Sequence, residues 1–239
     1  MFDDIEENII RYTFTMHRFP IHLTTYRHHI KKWTPYPIEL PLPRREEIDT
    51  RHTLVIDLDD TIIFGNNDPI FIRPFLIPFL RIIREYYEIV IWTLGSHKRC
   101  HAIMNAIEDE GFRIDGKCVI PEAIRLSRVH VGDDGIKNLH RLGRELSKTI
   151  IIDDMTDHYL NYPRNGILPY SMSFESMNPF LLAVLRILLH MSRNENDALI
   201  ELDMWRPLNY NRNESLIGKI CTMRRECVTI PEYDSENET

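Results

Sequence analysis

Asp57-Leu58-Asp59-Asp60-Thr61 follows directly on the apolar run Leu54-Val55-Ile56. On an extended backbone, residues two apart project to the same side, so Asp57 and Asp59 face one place. A third acidic group beside them would complete an oxygen-lined magnesium site, and one carboxylate would still be free to attack phosphorus. The chemistry implied is phosphoryl transfer through an aspartyl-phosphate. The same five residues also fit a plain solvated turn after a strand. The pentapeptide alone does not separate the two.

Three further positions extend the set. Thr93 follows the run Ile89-Val90-Ile91-Trp92, Asp153-Asp154 follows Ile150-Ile151-Ile152, and Lys137 precedes that last run. In a phosphomonoester hydrolase, Asp57 is the nucleophile. Asp59 protonates the leaving oxygen and later deprotonates the attacking water. Thr93 hydrogen-bonds a phosphoryl oxygen, and Lys137 balances the charge of phosphate and carboxylates. Asp153 and Asp154 complete the metal shell, directly or through water, and oxygen ligands with retained waters suit Mg2+. Taken singly, Thr93 is an ordinary strand-end threonine, Lys137 a surface lysine and Asp153-Asp154 a capping pair. Their joint order favours the catalytic reading.

The elements that must hold these residues are legible as apolar, β-branched runs. Strands are predicted over Thr53–Asp57, Glu88–Thr93 and Thr149–Asp153. Helices are predicted from Pro74 to about Tyr86, with Pro78 in the first turns, and from a Ser96 cap to near Glu110, with Gly111 as the stop. Another covers about Lys137 to Leu146, and a last one runs from Pro179 to Met191 behind Asn178. Short strands fit the looser stretch from Phe112 to Gly135. Continuous apolar strands alternating with helices define an α/β fold with a parallel sheet covered on both faces and flanked by helices. Ligands bind such sheets at the carboxyl ends of the strands, where these residues fall.

Around this core, residues 1–50 form an N-terminal extension, with a helical stretch from Ile5 to Arg18 and a Pro-rich strap from Pro35 to Pro43. The catalytic unit spans 51–193, and residues 194–239 form a C-terminal extension with an acidic tail. The net charge of −7 argues against a generic nucleic-acid binder and points to a basic partner. The four cysteines form no C-x-x-C pair, which argues against a zinc site. An acidic start and apolar runs broken by Arg81, Arg84 and Arg186 leave no targeting signal and no membrane span. The expectation is an intracellular protein, with nucleus and cytoplasm left open. His17, His22, His28 and His29 are too irregularly spaced for a metal site and fit a partner-facing or solvated surface.

The motifs resemble those of the haloacid-dehalogenase superfamily. More narrowly, they resemble those of the RNA polymerase II C-terminal-domain phosphatases, including the small CTD phosphatases and Dullard-type enzymes. The stretches that carry the resemblance are Leu54 to Thr61, Arg73-Pro74 with Phe79-Leu80, Tyr87 to Thr93, Ile136 to Leu139, Leu142-Gly143-Arg144-Glu145-Leu146, Ser147 to Asp154 and Asn165-Gly166-Ile167. Leu-Gly-Arg-Glu-Leu-Ser-Lys is a hallmark of the family rather than of the superfamily. The resemblance implies a Rossmann-like fold with a minimal cap, Mg2+ dependence and phosphoserine or phosphothreonine substrates in proteins. It matches Asp57 to the nucleophile, Asp59 to the acid/base, and Thr93 and Lys137 to the phosphate binders. Asp154 matches a direct metal ligand, Asp59 a backbone-carbonyl ligand and Asp153 a supporting position.

Two departures stand out. Only Ile62 to Ile72 separates the aspartates from Arg73, where the family carries a longer segment that forms a substrate-proline pocket. Gly65-Asn66-Asn67-Asp68-Pro69 reads as a tight turn within it. Asn138 stands where the family has an aspartate, which alters a local cap. Competing readings are a non-catalytic assembly module on the same fold and a phosphatase of a small metabolite. The stretch from Phe112 to Gly135 is too short for a large cap, which favours a macromolecular phosphoprotein. The terminal extensions are candidates for self-association.

Overall fold

The structure is a computed structural model, and it describes residues 20–21, 38–46, 49, 51–65, 69–169, 180–192, 200, 202 and 216–217. The expected helix from Ile5 to Arg18, the N-terminal histidines, the tip of the tight turn, Asn178, Pro179 and the acidic tail lie outside these residues.

The strands are β1 (Pro20–Ile21), β2 (His52–Ile56), β3 (Ile63–Phe64), β4 (Ile70–Ile72), β5 (Tyr87–Trp92), β6 (Ile124–Leu126), β7 (Thr149–Ile152), β8 (Gly166–Leu168) and β9 (Leu216–Ile217). The helices are α1 (Leu76–Ile83), α2 (His97–Asp115) and α3 (Phe180–Met191). The main sheet runs in the order β6-β5-β2-β7-β8-β9, and every neighbouring pair in it is parallel. Val55 lies beside Val90 on one side and Ile151 on the other. The three predicted strands thus form its centre, buried apart from Glu88 as their continuous apolar runs require. Between the aspartates and Arg73 the described residues add only the antiparallel pair β3 and β4, which β1 from the N-terminal extension joins to make a small sheet, β1-β4-β3.

The two faces of the sheet are covered differently. Leu54, Ile56, Ile89, Ile91, Ile150 and Ile152 pack with α1, α2 and α3 in the larger core. Val55, Val90, Trp92 and Ile151 face a second core closed by Leu42, Leu139, Leu142, Tyr159 and Tyr162. The sheet is thus covered on both faces, but the expected helix over this second face is corrected. Lys137–Leu146 is not an α-helix. It holds a 3-10 turn, Leu139–Leu142, capped by the Asn138 side chain and ended by Gly143 at φ 68°, a left-handed conformation that suits glycine. Leu139 and Leu142, three apart, are buried as well by a 3-10 turn as by a helix.

The Pro-rich strap lies over that turn. A Cβ on Gly143 would stand 3.0 Å from the Pro41 Cβ, and the Leu42 amide donates to the Leu142 carbonyl at 3.2 Å. Arg144 then reaches the amino end of β5, where its Nε and Nη2 grip both oxygens of Glu88 at 2.8 Å. Its Nη2 also donates to the Pro43 carbonyl at 2.9 Å, and Arg45 from the strap adds an ion pair to Glu88 at 3.6 Å. The Leu-Gly-Arg stretch therefore fastens the strap to the sheet.

A second correction concerns Gly111. Helix α2 runs through it and stops at Gly116, whose φ is 73°. A Cβ on Gly111 would meet Val119 Cγ2 at 2.2 Å, so its lack of a side chain serves close packing rather than termination. Pro74 lies just before α1, whose N-cap is Phe75.

Candidate active site

The loop after β2 turns sharply. The Asp57 amide still pairs with the Ile152 carbonyl at 2.9 Å, continuing the sheet by one residue. Leu58 turns into the core, and its carbonyl accepts from the amides of Thr61, Ile62 and Ile63. Asp60 takes a left-handed φ of 56°, which aspartate tolerates better than most residues. Arg73 holds this bend from below. It is buried, donates to the carbonyls of Thr61 and Asp60, and lies 5.3 Å over the Phe180 ring at the start of α3. Burial pulls its guanidinium down to about 10, still cationic at neutral pH.

The two carboxylates of the motif part company. Asp57 is buried and its Oδ1 accepts from Lys137 Nζ at 2.6 Å. Asp59 is partly exposed, with Oδ1 accepting from Arg99 Nη2 at 2.6 Å and Oδ2 from Thr93 Oγ1 at 3.3 Å. Thr93 is carried at the end of β5, where its amide donates to the Leu126 carbonyl and its Oγ1 accepts from the Gly95 amide at 2.9 Å.

Lys137 is fully buried despite lying in a loop, and its Nζ also donates to Asp153 Oδ2 at 2.6 Å. Its main-chain amide donates to the His158 carbonyl at 2.6 Å, and the His158 ring meets Asp153 Oδ1 at 3.0 Å. Asp154, half-buried, is tied to the aspartate loop by Thr61, whose Oγ1 accepts from the Asp154 amide at 3.1 Å.

Electrostatics follow from this packing. Burial is the main cause that pushes the Asp57 carboxyl up to about 7, with Lys137 opposing and Asp153 reinforcing it. Burial raises Asp154 too, helped by the charges of Asp153 and Asp60. Burial also works against an ionised Asp153, but the His158 hydrogen bond and the Lys137 ammonium outweigh it and hold Asp153 below the usual range. For Lys137, burial is overcome by Asp57 and Asp153, so it stays charged.

One ammonium thus serves two carboxylates, with a third beside them. Asp57, Asp153 and Asp154 each offer an oxygen, all within 4.8 Å of one another. An all-oxygen set with excess negative charge fits a hard divalent cation, and the push on Asp57, caused first by burial, is added to by the Asp153 and Asp154 charges. The Asp59 carboxylate stands outside this cluster.

The structure joins Asp57, Lys137 and Asp153 in one buried network, sets half-buried Asp154 beside it, and places partly exposed Asp59 with Thr93 at its margin. Three residues at the site were not singled out as functional from sequence. Arg99 comes from a distant segment, and His158, five residues after Asp153, sits in a 3-10 turn with no spacing signal. Arg73 was visible only as part of a motif. Asn138, the departure, caps its 3-10 turn through the His140 amide and accepts from the Tyr162 hydroxyl at 2.6 Å, away from the carboxylates.

Residues 52–199 match the family described as NLI interacting factor-like phosphatase, and the chain belongs to that family. A "Probable C-terminal domain small phosphatase" of Dictyostelium discoideum is 30% identical over 152 residues, covering 55% of this chain and 47% of the relative. The human "Carboxy-terminal domain RNA polymerase II polypeptide A small phosphatase 1" is 26% identical over 170 residues, covering 62% of each. The chain thus spans 47% and 62% of the lengths of these two curated relatives. Among solved structures, that of "Fcp1, an essential RNA polymerase II CTD phosphatase" aligns with a TM-score of 0.41 and 19% identity, covering 70% of this chain and 57% of that one.

Proposed function

We propose that the protein is a Mg2+-dependent phosphoprotein phosphatase that works through an aspartyl-phosphate. The observation that carries this reading is the buried Lys137 held at 2.6 Å by both Asp57 and Asp153, beside a third carboxylate, at the carboxyl ends of the central strands. Fixed positive charge beside the attacking carboxylate offsets its repulsion from a phosphate dianion, and a cation held by the carboxylates would add to it.

Asp57 Oδ1 is taken by Lys137, so the other oxygen forms the bond to phosphorus as the bond from phosphorus to the ester oxygen breaks. Asp59 gives its proton to that leaving seryl or threonyl oxygen. A water then attacks the phosphorus, Asp59 takes its proton, and the Asp57–phosphorus bond breaks to release phosphate. The Thr93 hydroxyl, which donates to Asp59 Oδ2 in the free site, turns its hydrogen to a phosphoryl oxygen when substrate binds. Asp57, Asp153 and Asp154 would hold the magnesium, with the Asp59 backbone carbonyl as the family resemblance implies. The cation would neutralise the carboxylates and the phosphoryl charge.

A protein substrate is favoured because, among the described residues, the small β1-β4-β3 sheet is the sole addition beside the site, and because curated relatives carry phosphatase names that refer to a polymerase domain. The net charge of −7 favours a target with Lys or Arg beside the phosphoresidue.

The test is hydrolysis of an aryl phosphate and of a phosphopeptide panel by the purified protein. Activity should require Mg2+, disappear with EDTA and be absent in Asp57→Asn. Inactivity with Mg2+ across about pH 5 to 8, the range in which carboxylate acid/base pairs work, would sink the proposal.

A further inference from the structure

We infer that Arg99 is a phosphate-binding residue that exchanges Asp59 for the phosphoryl group of the substrate. The inference rests on the phosphatase reading above and adds a ligand-binding role for a residue outside its machinery.

Arg99 lies in the first turn of α2, directly after the loop that carries Thr93. Its amide donates to the capping Ser96 hydroxyl at 3.2 Å, which fixes its backbone at the carboxyl end of β5. The guanidinium reaches Asp59 Oδ1 at 2.6 Å and the Gly65 carbonyl at 3.4 Å, so it touches both the aspartate loop and the β3–β4 hairpin. The space for it is built into the loop. A Cβ on Gly95 would stand 3.2 Å from Thr93 Oγ1, 3.7 Å from Arg99 Cδ and 3.8 Å from Asp59 Oδ2. Gly95 thus lets Thr93, Asp59 and Arg99 converge.

Lys137 and Arg99 differ in exposure. Lys137 has no exposed surface, and its ammonium is committed to Asp57 and Asp153. Arg99 keeps 25% of its side chain exposed and Asp59 35%, so this pair sits at the mouth. A phosphomonoester dianion approaching Asp57 meets Arg99 before it meets Lys137. A guanidinium presents a planar fork of donors that matches two phosphoryl oxygens, and a dianion is a stronger partner than one carboxylate oxygen. Asp59, while held by Arg99, is not directed at a leaving group. Transfer of Arg99 to the phosphate frees Asp59 Oδ1 when substrate arrives.

The experiment compares wild type, Arg99→Gln, Arg99→Lys and Asp59→Asn, each shown by thermal unfolding to be folded. Two quantities are read: inhibition of aryl phosphate turnover by inorganic phosphate, and direct calorimetric binding of inorganic phosphate with Mg2+ present. Loss of a charge-assisted hydrogen bond of this kind weakens binding by about ten- to a hundredfold, so Ki and KM should rise by that factor in Arg99→Gln and recover in part in Arg99→Lys. Asp59→Asn removes the competitor, so phosphate should bind it more tightly than wild type. An unchanged Ki and KM with a lower kcat in Arg99→Gln overturns the inference, since Arg99 would then only position Asp59. Failure of wild type to bind phosphate, or weaker binding in Asp59→Asn, overturns it as well. If wild type binds phosphate without turning over ester, the catalytic proposal fails and the calorimetry still decides the role of Arg99.

Discussion

Two buried charge clusters sit at opposite ends of the same sheet, and they are built with opposite balance. At the amino end of β5, one carboxylate, Glu88, is shared by Arg144 and Arg45. Burial works against its charge, yet the two guanidinium groups outweigh that and hold it below the usual glutamate range. At the carboxyl end of β2, one ammonium, Lys137, serves Asp57 and Asp153 beside Asp154, and Asp57 is pushed up to about 7. The first cluster is neutralised and ties the strap to the sheet. The second is under-neutralised, which leaves a standing demand for cations. The lesson is that burial of charge does not by itself mark a site; the sign and size of the imbalance do.

The largest difference between the clusters should appear in turnover. Asp57→Asn should lower phosphatase kcat by at least about 10³-fold, since no other group can form the covalent intermediate. Its unfolding midpoint should stay at or above that of wild type, because the replaced carboxyl is one that burial disfavours. Residual turnover within tenfold of wild type would move the nucleophile elsewhere.

Lys137→Met comes next. Removing the ammonium leaves Asp57 and Asp153 buried without their shared partner, a change that costs about 3–5 kcal/mol in comparable buried pairs. Urea unfolding in EDTA should show that loss, and added Mg2+ should recover part of it by binding the exposed imbalance. A variant as stable as wild type in EDTA would mean that Lys137 does not hold the cluster together.

Glu88→Gln tests the opposite end. The guanidinium groups stay partly solvated and keep backbone acceptors, so the loss should be smaller, about 2 kcal/mol. The kcat should remain within twofold of wild type, because nothing at the amino edge touches the carboxylate network. A drop in kcat without a drop in stability would show the two ends to be coupled through β5.

The sheet and the carboxylates were largely legible in the sequence, because burial on both faces leaves a continuous apolar run and the aspartates follow such runs. The parts that were not legible depend on contacts across the fold. Lys137 was expected at a helix start, but Gly143 and the Asn138 cap favour a 3-10 turn, and a lone lysine carries no sign of burial. Gly111 and Gly116 look alike as helix stops; only the proximity of Val119 to Gly111 tells them apart. Arg99 meets Asp59 across forty residues of chain, a pairing no local period encodes. The hallmark around Arg144 signals the family, while its physical task, gripping the strap, emerges only when Pro41 and Pro43 are seen against it.

The smallest predicted effect is also the most selective for the imbalance. A carboxyl whose folded pKa is raised binds its proton in the native state before it does in the unfolded chain. Stability from Asp57 is therefore present at low pH and lost as pH rises from the ordinary value of 3.8 through about 7. Glu88 has the opposite sign: its depressed carboxyl gives stability above the ordinary value of 4.5, lost only as pH falls below it. Between about pH 5.5 and about pH 6.5 the amino end is thus silent, while Asp57 contributes a falling slope of at most about 1.4 kcal/mol per pH unit. His101, which burial pulls down to about 4, adds a rising slope over an overlapping range. The quantity to measure is consequently the difference in urea midpoint slope between wild type and Asp57→Asn, both in EDTA. Wild type should lose about 1 kcal/mol relative to the variant across that interval, and Mg2+ should flatten the difference by keeping Asp57 ionised throughout. Parallel slopes in EDTA would mean that Asp57 is already compensated by Lys137 alone, and the contrast between the two ends of the sheet would then rest on geometry without charge.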